Sequence, residues 1–201
     1  MKIPSKYIEN AVEQMASLPG IGKRTALRLV LHLMNRSKEE IQGFSEAFIE
    51  MKEHVKNCST CGNVSDTPIC SLCSNPRRDH STICVVEDIR DVLAIESTES
   101  YAGVYHVLGG IISPMDGIGP SDLNIPALVN RVESGKVKEV IFALSATMEG
   151  DTTNFFLYRK LKDSNIAISS ISRGVAIGSE LQYADEITLS RSLQQRQPFS
   201  I

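Results

Sequence analysis

The sequence is poor in aromatic residues and has no long hydrophobic run. Tryptophan is absent, and aromatic residues make up only 5% of the 201 residues, so an aromatic platform for stacking single-stranded bases is not indicated. No apolar run approaches the roughly 18–20 residues of a membrane span. Residues 1–6 have no apolar core behind their charges, which a secretory signal requires. We therefore expect a cytoplasmic protein with no membrane partner.

The sequence also lacks an excess of positive charge. Its formal net charge is -3 at pH 7, which argues against a surface that is basic overall and coats nucleic acid. Binding to phosphate groups must therefore come from a local patch or from a partner. The composition is otherwise that of a globular protein, with 42% hydrophobic and 22% charged residues. The length allows one large domain or two small ones.

Four cysteines form two matched pairs, Cys58 with Cys61 and Cys70 with Cys73. Two residues between paired cysteines let one tight turn direct both sulfur atoms at a single point, and a second turn completes a tetrahedron. Gly62 follows the first pair, where a positive φ angle can turn backbone amides towards the thiolates. The alternatives are iron in a rubredoxin-like site, metal-free thiols, or disulfides, which need an oxidising compartment. We favour one structural Zn²⁺ per chain, with no coordination position open for catalysis.

A glycine-rich turn between the first two predicted helices carries the features of a phosphate site. Gly20 and Gly22 permit a tight turn and close approach of another backbone. A helix follows at once, so its unpaired N-terminal amides can bind an anion, and Lys23, Arg24 and Arg28 add positive charge on one helix face. This arrangement suits contact with the DNA backbone and does not read bases. The alternative is a turn joining two core helices with a solvated outer face. The segment resembles a helix-hairpin-helix motif.

The third predicted helix begins with a capping box and carries an apolar stripe. Ser37 precedes Glu40 by three residues, the spacing of a capping box. The stripe alternates three and four residues apart, as in a short coiled-coil seam, and consists of Ile41, Phe44, Phe48, Met51 and Val55. Packing on neighbouring helices is the favoured interpretation, and a subunit contact is the alternative.

After the cysteine pairs, short apolar runs alternate with helical stretches. The runs predict strands at 83–87, 104–108, 139–144 and 166–171, and helices at 88–96, 125–133 and 151–162 lie between them. Such alternation predicts a mostly parallel sheet with helices on both faces. Cys84 lies in the first run and is expected to be a small core residue. The loop 109–120, rich in glycine and proline, is of a length that is usually functional.

Acidic residues follow two of the predicted strands. Glu87 ends the first strand, and Glu149 and Asp151 follow the third. In open parallel sheets, functional groups gather at these strand ends. The region resembles the Toprim fold of topoisomerases, primases and related nucleases, whose enzymes hold magnesium with a glutamate and an Asp-x-Asp pair. Ser145 and Thr147 stand where that pair belongs, so we expect no catalytic site.

The ordered set of parts resembles the RecR family of bacterial recombination mediators. The resemblance implies a multidomain α/β fold: a helix-hairpin-helix domain over 1–56, a small four-cysteine zinc module over 57–80, a Toprim-like parallel sheet over 81–172, and a Walker-B-like assembly segment over 173–201. It rests on the hairpin, the cysteine pairs, the loop Gly109–Ile118 and the tail Gly174–Leu181.

The resemblance implies a non-enzymatic role in DNA repair and recombination. RecR-like proteins assemble into a tetrameric ring that can encircle DNA and, with RecO and RecF, load RecA onto strands coated by single-strand-binding protein. Glu87, Glu149 and Asp151 would then form an acidic patch for a basic partner such as RecO. Two other classes stay open: a Toprim magnesium-dependent nuclease or topoisomerase-like enzyme, and a DNA-binding module without partners.

Overall fold

The computed structural model describes residues 3–196 and 198. The chain divides into two compact units between Val55 and Lys56. Within the described residues, no helix is both long and apolar enough to cross a membrane.

The first unit consists of three helices, α1 (Lys6–Ala16), α2 (Lys23–Met34) and α3 (Lys38–His54). Its core forms where α1 and α2 pack together, with Val12, Ala26 and Val30 buried. The predicted capping box of α3 is confirmed, because the Ser37 hydroxyl accepts the Glu40 N–H and the Glu40 carboxylate accepts the Ser37 N–H. Sequence alone therefore located the start of this helix correctly.

Helix α3 buries none of its residues, which differs from the favoured prediction for its apolar stripe. Ile41 and Val55, at the two ends of the stripe, are half-buried. Phe48 and Met51 are 55% and 53% exposed, and the rings of Phe44 and Phe48 contact each other edge to face. Hydrophobic spacing shows which side chains share a face and does not show what covers that face. The alternative interpretation, a subunit contact, stays a prediction.

The second unit contains a small zinc module and a four-stranded sheet with helices. Its elements in chain order are β1 (Lys56–Asn57), β2 (Val64–Ser65), α4 (Ser71–Ser74), β3 (Asp79–Val86), α5 (Ile89–Glu96), β4 (Gly103–Val107), α6 (Ile125–Glu133), β5 (Glu139–Phe142), α7 (Met148–Leu161), β6 (Ala167–Ser170) and α8 (Glu186–Gln194). Strands β1 and β2 pair antiparallel. The sheet has the order β4-β3-β5-β6, and every pair in it is parallel.

Helices cover both faces of this sheet, as the alternating pattern predicted. Side chains of β3 point alternately to the two faces, with Ile83 and Val85 in one apolar cluster and Cys84 and Val86 in the other. Helices α6 and α7 complete the first cluster, and Val92 of α5 belongs to the second. The prediction that Cys84 is a core residue is confirmed, since it is buried.

Two boundaries differ from the sequence-based expectation. Strand β3 begins at Asp79, so the predicted boundary at residue 80 between zinc module and sheet falls inside a strand. The Asp79 carboxylate accepts bonds from Ser81 and Thr82, which fixes this polar entry to the strand. Helix α7 begins at Met148 and not at residue 151, because Thr147 caps it by accepting the Gly150 N–H.

Candidate zinc centre and nucleic-acid interface

The two cysteine pairs converge on one point. The sulfur atoms of Cys58, Cys61, Cys70 and Cys73 all lie within 4.8 Å of one another. The Cys61 and Cys70 sulfurs are 3.6 Å apart, close to the roughly 3.8 Å that a tetrahedron with metal–sulfur bonds of about 2.3 Å requires. All four cysteines are free rather than disulfide-bonded. The donor set and its spacing therefore fit a closed zinc site.

Backbone N–H groups donate hydrogen bonds to two of the sulfur atoms, as we predicted from the position of Gly62. The Asn63 N–H donates to the Cys61 sulfur at 3.4 Å, and the Cys70 N–H donates to the Cys58 sulfur at 3.2 Å. Gly62 has a φ of 76°, which makes this turn possible. Such amide donors stabilise thiolate over thiol. The first cysteine turn thus prepares its ligands for a cation.

Burial and hydrogen bonds act in opposite directions on the thiols. Burial opposes ionisation of Cys58, but N–H donors of Cys70, Cys61 and Thr60 lower its pKa to about 6. The pKa of Cys61 is raised, first by its hydrogen bond with Cys73 and then by burial. Zinc binds thiolates, so its binding here would release the remaining protons.

The hairpin between α1 and α2 has the predicted tight turn. Pro19 and Gly20 are its central residues, Gly20 has a φ of 78°, and the Ile21 N–H donates to the Leu18 carbonyl at 3.1 Å. Gly22 is the N-cap residue of α2, and it has no side chain to accept a hydrogen bond from the first amides of the helix. The first intrahelical bond runs from Ala26 to Gly22 at 3.0 Å.

The first turns of α2 carry three exposed cationic side chains. Lys23, Arg24 and Arg28 are exposed, and within residues 3–196 and 198 none of them belongs to an ion pair. The first turn of α2 contains no acidic residue. The amides before Ala26 therefore share the helix N-terminus with uncompensated cations, which favours an anion such as phosphate.

The acidic residues lie at the ends of the two central strands. Glu87 follows β3, and the loop that contains Ser145 and Thr147 follows the neighbouring strand β5. Burial raises the pKa of Glu87, and Asp91 and Asp88 raise it further. Ser145 and Thr147 approach each other at 3.4 Å through their hydroxyls. The ends of these two neighbouring strands therefore carry one half-buried carboxyl and, after the other strand, two hydroxyls.

Asp151 has partners that the sequence did not indicate. Its carboxylate pairs with Arg173 at 2.6 Å and with Arg191 of α8 at 3.3 Å. Its negative charge is thus largely satisfied within the chain, whereas Glu149 is exposed. Within the part of the chain that the structure describes, only the cysteines bring three or more ligand atoms of this kind within 4.8 Å of one another.

Comparison with known protein families matches the chain in four consecutive parts. The matched models are a RecR helix-hairpin-helix over 8–52, a RecR four-cysteine zinc finger domain over 55–75, a Toprim domain over 81–172 and a RecR C-terminal part over 174–197. The recombination protein RecR of Flavobacterium johnsoniae is 60% identical over 199 residues, 99% of this chain and 97% of that protein. The chain belongs to the RecR family.

Other RecR-family proteins agree over the same length. The recombination protein RecR of Phocaeicola vulgatus is 58% identical over 197 residues, covering 98% of this chain and 96% of that protein. The recombination protein RecR of Porphyromonas gingivalis is 56% identical over 199 residues, covering 99% of this chain and 96% of that protein. The predicted family, the fold class and the four-cysteine zinc site with one zinc per chain are confirmed.

Proposed function

We propose that this chain is a DNA-binding recombination mediator that does no chemistry on DNA. The observation that carries the proposal is the exposed, uncompensated basic start of α2, formed by Lys23, Arg24 and Arg28. It lies in the part matched by the RecR helix-hairpin-helix model, and the similar proteins are named recombination proteins. The contact we propose is with the DNA backbone and is independent of sequence.

Self-assembly strengthens this binding in our proposal. One chain carries a net charge of -3, so a single hairpin binds DNA weakly. A tetrameric ring would present several hairpins to one duplex and raise the effective affinity by multivalency. The exposed apolar residues of the first unit support such assembly; they include Tyr7, Met34, Phe48 and Met51.

We further propose that the Toprim sheet serves as a platform for partners. Together with RecO and RecF, the ring would promote loading of RecA onto strands coated by single-strand-binding protein. Glu87 and Glu149 would provide negative charge for a basic partner surface such as that of RecO. Asp151 contributes less than we expected from the sequence, because Arg173 and Arg191 already pair with it.

The same strand ends support a non-enzymatic role over a magnesium-dependent nuclease or topoisomerase. Hydroxyls are poor substitutes for carboxylates around a hard divalent cation, and Ser145 and Thr147 hold the positions of the Asp-x-Asp pair. Thr147 is also occupied as the cap of α7. Asp151 pairs with two guanidinium groups rather than standing free for a cation.

DNA binding by hairpin variants tests the proposal. We expect the double variant Lys23→Ala, Arg24→Ala to bind unrelated DNA sequences more weakly by a similar factor. The slope of log affinity against log salt should fall by about two, because two phosphate contacts are lost. Fluorescence anisotropy over a salt series measures both quantities. The matched control is Lys38→Ala, Lys52→Ala, which removes the same charge from exposed positions of α3.

Unchanged binding by the hairpin variant would move the DNA site elsewhere. An equal loss in the control would show that net charge, rather than the hairpin, governs binding. Magnesium-dependent cleavage or relaxation of DNA by pure protein, lost in Glu87→Gln, would instead support the alternative function, a magnesium-dependent nuclease or topoisomerase-like enzyme.

A further inference from the structure

A zinc ion bound by the four cysteines would form a buried centre of negative charge. Four thiolates around Zn²⁺ leave a net charge of -2, and Cys58, Cys61 and Cys70 are each at most 3% exposed. The amides of Asn63 and Cys70 donate to two of the sulfurs, but they are neutral dipoles. A buried anion is costly unless a cation lies near it.

Arg131 of α6 lies close to the first cysteine turn. It lines a cavity together with Ser59 and Thr60 of the first cysteine turn. Burial lowers the pKa of the Arg131 guanidinium, and the negative charges of Cys73, Cys61 and Cys58 oppose that shift. Arg131 therefore lines the same cavity as the two residues that separate Cys58 from Cys61, although it belongs to a different part of the fold.

Hydrogen bonds to β4 hold the guanidinium in this place. Its Nη1 donates to the Tyr105 carbonyl at 2.8 Å and to Nδ1 of His106 at 3.3 Å. His106 is fully buried, and its Nε2–H donates to the Asn124 carbonyl at 2.8 Å. Because Nδ1 accepts from Arg131, these two contacts fix one neutral tautomer of the imidazole.

The same strand binds the first cysteine turn. The Val107 N–H of β4 donates to the Cys61 carbonyl at 2.7 Å. A Cβ atom on Gly62 would lie 2.8 Å from the Val107 carbonyl and 2.6 Å from the Asn124 amide nitrogen. The zinc module therefore docks closely on the edge strand whose carbonyl and histidine hold Arg131.

We propose that Arg131 is the counter-charge of the zinc centre, positioned by Tyr105 and His106 of β4, and that it slows zinc loss. Arg131 does not ligate the metal; it acts as a positioning residue through the field at the thiolates and through the strand that the cysteine turn contacts. Partners of this kind, outside the ligand set, typically change metal affinity by about 10–100-fold.

Zinc release by the full-length, zinc-loaded protein tests the proposal. In Arg131→Gln, which keeps hydrogen-bond donors and removes the charge, we expect release to pyridylazoresorcinol to be about tenfold faster. Arg131→Lys keeps the charge and should release zinc at a rate between those of the wild type and Arg131→Gln. Arg159→Gln is the matched control, since Arg159 is exposed on α7, and it should behave as the wild type.

A general loss of stability is separated from the proposed role by a second control. Leu161→Ala creates a cavity at a fully buried position of α7 and should lower the melting temperature without a comparable rise in zinc release. Wild-type zinc release in Arg131→Gln would overturn the proposal, as would equal acceleration in Leu161→Ala. If Arg131→Gln does not fold, Arg131→Lys decides: release within about threefold of wild type supports the proposal, and faster release overturns it.

Discussion

Gly62 is constrained at the scale of a single residue in two independent ways. Its φ of 76° lies in the left-handed region that disfavours any side chain. The space for a Cβ atom is also taken, because the Val107 carbonyl would lie 2.8 Å away. The sequence predicted the first constraint from the position of Gly62 after Cys61. The second depends on a strand distant in the sequence, so no local pattern could indicate it.

Gly62→Ala should therefore lower the free energy of unfolding by about 2 kcal/mol or more. Urea unfolding of the zinc-loaded protein measures this change. Gly43→Ala provides a control inside α3, where nothing lies near the added methyl group. Because alanine has the higher helix propensity, this control should be neutral or stabilising by up to about 1 kcal/mol. An equal loss in both variants would contradict the special role of Gly62.

The acidic residues show where inference from single residues ends. Sequence placed Glu87, Glu149 and Asp151 after the correct strands, because strand ends follow from the hydrophobic runs. It did not indicate that Arg173 and Arg191 pair with Asp151. Those partners belong to the tail, and their approach depends on how the segment after β6 crosses the strand ends. Ion pairs at such separations have no sequence periodicity to reveal them.

At the scale of elements, patterns of residues a few positions apart predicted the structure correctly. The capping box at Ser37, the alternating strands and the cysteine pairs all depend on residues a few positions apart, and the structure reproduces each. The apolar stripe of α3 shows the limit, because its spacing defines a face and leaves the covering partner open. The start of α7 differed for a similar reason. The sequence analysis placed Thr147 at the position of a metal-binding aspartate and did not predict that its hydroxyl caps α7.

We expect the folding of the zinc module to depend on its metal. Its buried side chains are those of three cysteines and Asn63, too few apolar groups to form a core without a cross-link. We expect zinc removal by a chelator, or Cys58→Ala, to abolish hydrogen-exchange protection in residues 56–75 while β3 and β5 stay protected. Solubility should fall as the module opens.

Mass spectrometry of hydrogen exchange distinguishes the outcomes. Protection that survives complete zinc removal would show that the module folds without metal. Elemental analysis of carefully prepared protein should give about one zinc per chain, and a clearly lower value would contradict the assignment. The matched variant Cys84→Ala changes a buried cysteine of the sheet instead, and it should retain full zinc content.

At the scale of the whole molecule, we propose that one part of the chain binds DNA and that others serve assembly and partner binding. In this proposal, the hairpin would supply a phosphate-binding site on a chain that is acidic overall. The exposed apolar face of α3 supports association with further copies, which would multiply that site. The sheet belongs to the part matched by the Toprim model, and Ser145 and Thr147 follow β5, where the family resemblance predicts the carboxylates of a metal-dependent enzyme. These features together support a mediator that assembles on DNA and recruits partners.

The central claim is tested most directly by RecA loading on single-stranded DNA coated with single-strand-binding protein, in the presence of RecO. RecA filament formation can be followed through its DNA-dependent ATP hydrolysis. We predict that the zinc-loaded protein shortens the lag before hydrolysis, that Lys23→Ala, Arg24→Ala does so far less, and that Lys38→Ala, Lys52→Ala acts as the wild type. An unchanged lag with the intact protein, at concentrations where it binds DNA, would contradict the account.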